Sequence, residues 1–158
     1  MRKKRIALFV IMMLLLTACS NDKKTETTSG GKCTFLVECA AIQDNMEQLD
    51  AAVENYVPKS GMIVKKRTVT FEKNDSVYDI LQRELKKDNI LMEASFTGKS
   101  AYIEGIDNIY EFSCGELSGW TYCVNGKVPG VSCSEYQVRD GDAIEWHYTC
   151  DLGEDLKQ

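Results

Sequence analysis

Thiols dominate the reactive side chains of this sequence, which holds seven cysteines against a single histidine. Six of them, Cys33, Cys39, Cys114, Cys123, Cys133 and Cys150, are spread along the chain with no C-x-x-C spacing, and His147 stands alone. A zinc site therefore lacks both its usual ligand spacing and its usual partners, and no metal is expected. An even set of cysteines reads instead as the disulfide framework of an exported domain, with many connectivities open. Catalysis finds little support. Ser118-Gly119-Trp120 is not flanked as a nucleophile elbow, and His147, between Trp146 and Tyr148, faces the opposite side of its strand from both. A general base needs a partner that orients it, and the sequence offers His147 none. Glu154 and Asp155 fall in the C-terminal tail as a solvated end. Neither an enzyme nor a cofactor is expected.

Aromatic residues are the other dense feature. Tyr102, Tyr110, Phe112, Trp120, Tyr122, Tyr136, Trp146 and Tyr148 crowd the C-terminal third, and Trp120 with Tyr122, like Trp146 with Tyr148, alternates onto one face of its strand. Two readings stand side by side. Aromatics fill the core of a small sheet, or they form a recognition surface of rigid contact area. On the second reading Trp120, Tyr122 and the Asn125-Gly126 turn form a ligand-binding hairpin within residues 118–130, joined by Tyr102.

The N-terminus bears on where such a domain works. Arg2, Lys3, Lys4 and Arg5 form a positive cluster, and the run from Ile6 to Leu16 carries no charge. This is the layout of a secretory signal. The apolar run falls short of the roughly 20 residues a spanning helix needs. Leu16-Thr17-Ala18-Cys19 then resembles the bacterial lipobox, in which the chain is cut before the cysteine and its thiol carries a diacylglycerol. Residues 1–18 are thus expected to be a lipoprotein signal peptide and Cys19 the lipidated residue, which would leave the protein anchored to the cell membrane on its extracytoplasmic face. Residues 20–32 are all polar or small and are assigned, with Cys19, to a flexible tether. The remainder, residues 33–158, is one domain's length. The formal charge of the whole chain is −5, and loss of the signal removes four positive charges more. An acidic domain argues against nucleic acid as a partner.

The elements that must position these residues follow from periodicity. Cys33, Phe35, Val37 and Cys39 alternate along a first strand, and Ile42, Met46, Leu49 and Val53 mark an amphipathic helix inserted after it. A second strand spans Met62 to Phe71 and ends at the Asn74-Asp75 turn. Ser76 is a good N-cap for a helix striped by Val77, Ile80, Leu81 and Leu85, with Asp79 in its first turn. Short strands are expected at 91–96, 101–103, 109–112, 120–124 and 143–149, divided by Gly or Asp turns. Asn125-Gly126 suits a type I′ turn, which needs positive φ twice. The class is α+β: a mostly antiparallel sheet packed on one main helix, with a helical insertion after the first strand.

Three stretches, Ala101 to Phe112, Cys114 to Gly126 and Asp140 to Gly153, with Ser76-Val77 through Ile80-Leu81 upstream, resemble bacterial extracellular domains described as similar to the C-terminal domain of transcobalamin and intrinsic factor. That resemblance implies a β-grasp-like fold, a sheet gripping one helix. In those carriers the smaller β-rich domain closes over cobalamin held by a separate helical domain. It further implies that Cys39 pairs with Cys150 if the first and last strands are parallel neighbours, with Cys114–Cys133 and Cys33–Cys123 following. The function implied is a surface lipoprotein with a non-catalytic ligand-binding domain that captures cobalamin or a related corrinoid for uptake. The alternative is a protein-interaction module docking to a transporter or another surface protein, with no small-molecule ligand.

Overall fold

The computed structural model describes residues 29–156, so the signal peptide, Cys19 and most of the tether lie outside the described residues. Among the described residues there are seven strands in two sheets, one α-helix and several 3₁₀ turns. They are β1 (Ser29–Glu38), β2 (Met62–Glu72), α1 (Val77–Lys87), β3 (Met92–Thr97), β4 (Ser100–Ile106), β5 (Ile109–Tyr110), β6 (Gly119–Val124) and β7 (Ala143–Thr149). One sheet has the order β2-β1-β7-β6 and the other β3-β4-β5. The α+β class holds, with the strands divided between two sheets.

In the four-stranded sheet, β1 runs parallel to β7 with Thr34 opposite Ala143 and Glu38 opposite His147, while β2 and β6 flank the pair antiparallel. Period-two alternation sends Cys33, Phe35, Val37, Trp120, Tyr122, Val124, Ile144, Trp146 and Tyr148 into one core. The stripe of α1, Val77, Ile80, Leu81 and Leu85, closes that core. The Ser76 cap is realised as a full capping box: the Asp79 N–H donates to Ser76 Oγ at 3.2 Å and the Ser76 N–H to Asp79 Oδ2 at 2.8 Å. Glu84, buried on the same helix, is held by Arg67 of β2 at 3.1 Å and Lys87 at 2.5 Å.

Besides shifts of a residue or a few at the ends of β2, β3, β4 and β6, three larger differences from the sequence reading stand out. First, β1 begins at Ser29, within the stretch assigned to the tether, because Gly31 lets the backbone pass Asp140, where a Cβ would stand 2.5 Å from Oδ1, and Lys32 N–H donates to that same carboxylate at 2.8 Å. Second, the helical insertion is not an α-helix but three 3₁₀ turns, Ala40–Asp44, Met46–Gln48 and Glu54–Tyr56. Ile42 is buried while Met46 is exposed. The stripe is broken because Leu49 turns extended to bridge Cys114 and the Asp50 N–H donates to Ser113 O at 2.8 Å, tertiary bonds a helix would forgo. Third, β5 stops at Tyr110, and Phe112, expected in a strand, sits at φ +65°.

Candidate functional site

The hairpin expected to bind a ligand is built largely from core. Trp120 is 9% exposed, donates its indole N–H to Ile109 O at 2.8 Å, and meets the Tyr148 ring edge-on at 5.2 Å. Tyr122 is 7% exposed, packs on Trp146 at 5.4 Å and donates its hydroxyl to Val131 O at 2.8 Å. Of the two readings offered by the aromatics, burial describes this pair: neither ring has the free face that ligand contact requires. Asn125 and Gly126 do form the tight turn, both at positive φ, but it closes a single bridge, Val124 to Lys127. Asn125 spends its side chain inside the fold, accepting from the Ala143 N–H and donating to Asp142 Oδ1, both at 2.9 Å. The turn therefore staples β6 to the start of β7.

Tyr102 is different: it is half exposed, on the outer face of the three-stranded sheet. Its hydroxyl donates to Glu111 Oε2 at 2.5 Å, and that hydrogen bond, ahead of partial burial, pushes the phenol up to about 12. Beside it Tyr110 lies across Gly105, where a Cβ would be 2.5 Å from the ring, and donates to Glu93 Oε1 at 2.7 Å. Glycine at 105 is what admits the ring. The face thus presents two phenol rings, each fixed by a carboxylate, on neighbouring strands. The sequence named Tyr102 as a ligand residue and counted Tyr110 among the crowded aromatics, but did not point to Gly105, Glu93 or Glu111. The alternation of β4 against β5 is the signal that unites them, and β5 is too short to be read with confidence in its register from sequence.

Concavities among the described residues also lie elsewhere. One, of about 430 Å³, is lined by Asn45, Gln48, Glu116, Leu117, Cys150 and Asp151. A smaller one of about 250 Å³ sits between Phe71 and Arg139. On the back of the four-stranded sheet His147 has the partner that the sequence did not reveal: its Nδ1 lies 2.5 Å from Glu38 Oε1, while Glu38 Oε2 accepts from the Ala40 N–H at 2.7 Å. The parallel β1–β7 register places them side by side across 109 residues of sequence. No nucleophile bonds to this pair among the described residues.

Among the described residues no disulfide joins the six cysteines of the domain. Cys33 points into the core from β1, whereas Cys123, opposite Glu145, points to the back of the same sheet, so these two do not meet. Cys133 sits near Ala101 O at 3.9 Å, and Cys114 is elsewhere, directed at Asn45 O at 3.4 Å and at Cys150. The parallel pairing that motivated Cys39–Cys150 is present, and both Cys114 and Cys39 lie near enough to Cys150 to raise its thiol. Burial pushes the Cys33 thiol up to about 11 and that of Cys39 to about 12. Among the described residues no cluster of three or more His, Cys, Asp or Glu could hold a metal ion, and no helix is long and apolar enough to cross a membrane.

The described residues form an α+β domain of two sheets and one α-helix. A model described as "Domain of unknown function (DUF4430)" matches residues 74–150. Among solved structures, haptocorrin in complex with Cbi superposes with a TM-score of 0.56 at 13% identity, over 84% of this chain and 28% of that one. The chain thus spans little more than a quarter of haptocorrin. A putative metal-binding protein from Ruminococcus gnavus ATCC 29149 matches at 15% identity with a TM-score of 0.43, over 75% of this chain and 95% of that chain. No curated protein sequence matches.

Proposed function

We propose that this chain is a lipid-anchored capture domain on the extracytoplasmic face of the cell membrane, which holds a corrinoid or a similar flat, amide-bearing ligand against the outer face of β3-β4-β5. The observation that carries the reading is the pre-set pair of phenol rings, Tyr102 bonded to Glu111 and Tyr110 to Glu93. Rings already fixed by hydrogen bonds lose little side-chain entropy on binding. The carboxylates at their tips keep acceptor capacity, which suits the N–H groups of peripheral amides. Haptocorrin, similar in fold, is the protein solved with Cbi, and this adds weight to the ligand class. The four-stranded sheet with α1 across it also fits a β-grasp arrangement, and the lipobox-like segment at Cys19 supplies the anchor.

Titration calorimetry of the full chain with cyanocobalamin and with cobinamide tests the reading. Saturable heat that Tyr102→Ala weakens at least tenfold, without a change in the far-ultraviolet dichroism, is the expected result. Silence with both ligands would remove the corrinoid.

One observation favours the second reading, a module that docks to a transporter or another surface protein. Phe112 is 63% exposed in the left-handed region, where a bulky residue is rarely found, and its N–H donates to Ser118 O at 3.0 Å. Such local strain at an exposed aromatic is a reason to test Phe112→Gly for loss of co-purifying proteins.

A further inference from the structure

Cys114 and Cys150 meet although 36 positions part them, and the fold holds both in place from several sides. The Cys114 N–H donates to Ser118 Oγ at 3.0 Å, and the same hydroxyl accepts from Tyr148 OH at 2.8 Å, so the turn carrying Cys114 is bonded to β7 two residues before Cys150. On the other side the Cys150 N–H donates to Asp155 Oδ2 at 2.7 Å. Cys114 Sγ is directed at Asn45 O at 3.4 Å, and Asn45 and Cys150 line one cleft, which sets the two thiols side by side. Cys114 is fully buried, whereas Cys150 is 7% exposed and lines the cleft of about 430 Å³ beside Asn45 and Gln48.

We propose that Cys114 and Cys150 are an oxidisable dithiol, with Cys150 the entry thiol and Cys114 the resolving one, whose disulfide fastens the wall of this cleft. The oxidant is an external disulfide, small or protein-borne. The Cys150 sulfur attacks it, forming a mixed disulfide and releasing one thiol; the Cys114 sulfur then attacks the Cys150 sulfur, forming the internal bond and releasing the second thiol. The two cysteine protons leave with the two released thiols, and the external disulfide takes up the two electrons. Access decides the order, because only Cys150 opens onto the cleft. Cys39, the other buried thiol near Cys150, is the competitor for the same bond.

This proposal is independent of any ligand on the phenol face, and its test does not use one. The reduced full chain is treated with oxidised glutathione, free thiols are alkylated under denaturing conditions, and the digest is mapped without reduction. A peptide joining Cys114 to Cys150 is expected, together with a rise in Tm of roughly 10 °C over the reduced protein. Cys114→Ser should instead accumulate glutathione on Cys150, and Cys39→Ala should leave the bond intact. A Cys39–Cys150 peptide, or all six thiols of the domain alkylated, would overturn it.

Discussion

Two tryptophans share one core and one aromatic layer but differ in a single hydrogen bond, which makes them a calibrated pair. Trp120 Nε1 donates to Ile109 O, whereas Trp146 Nε1 is buried with no partner among the described residues. Replacing either by Phe removes a similar part of the indole and leaves a similar void, so the cavity cost largely cancels between the two. What does not cancel is the N–H. Trp120→Phe leaves a carbonyl short of its donor, at a cost of about 1–3 kcal/mol, while Trp146→Phe removes a desolvated donor and returns a comparable amount. Trp120→Phe should therefore be the more destabilising by at least about 2 kcal/mol. Trp146 is the more deeply buried of the two, 1% exposed against 9%, so any residual difference in packing works against this ordering. Urea unfolding followed by far-ultraviolet dichroism would show the gap as a midpoint difference of about 1 M, for a slope typical of small domains. Equal midpoints, or a lower one for Trp146→Phe, would refute the reasoning and mean that the Trp146 N–H is satisfied.

Two other perturbations follow from local chemistry. Ser76→Ala removes one half of the capping box and should cost about 1 kcal/mol in urea unfolding, with Ser76→Asp recovering most of it. The raised thiols fix the sign of an alkaline response. Cys33 and Cys39 titrate near 11 and 12 in the fold against 9.0 when unfolded, so their contribution to stability is complete below pH 9 and is lost as pH rises through 11 to 12. Each should remove about 1.4 kcal/mol per pH unit between 9 and its folded value, and nothing further above it. Urea midpoints measured in reductant that stay flat from pH 9 to 10.5 would contradict this.

Local signals carried well into the structure. Ser76 and Asp79 mark the start of α1 because both halves of a capping box lie within one turn, and β7 occupies the expected 143–149 because Ala143, Glu145 and His147 alternate cleanly with Ile144, Trp146 and Tyr148. What was not legible is long-range. The stripe of Ile42, Met46, Leu49 and Val53 has helical spacing, but Leu49 and Asp50 are claimed by Cys114 and Ser113, partners that no window of sequence contains. The Glu38–His147 pair and the Cys114–Cys150 contact exist only once β1 lies beside β7 and the 113–118 turn folds back on it. The aromatics were legible as a group. Which of them face water was not, because both Trp120 and Tyr102 sit on alternating strands, and only the closure of the core under β6 buries the first and leaves the second outside.

The most direct measurement is the calorimetric titration of the full chain with cobinamide, run in parallel on Tyr102→Ala and Trp120→Phe. The account predicts saturable binding that is weakened at least tenfold in the first variant and kept, at lower thermal stability, in the second. Binding that is unweakened by Tyr102→Ala and fails in folded Trp120→Phe, or no binding by the unaltered chain, would contradict it.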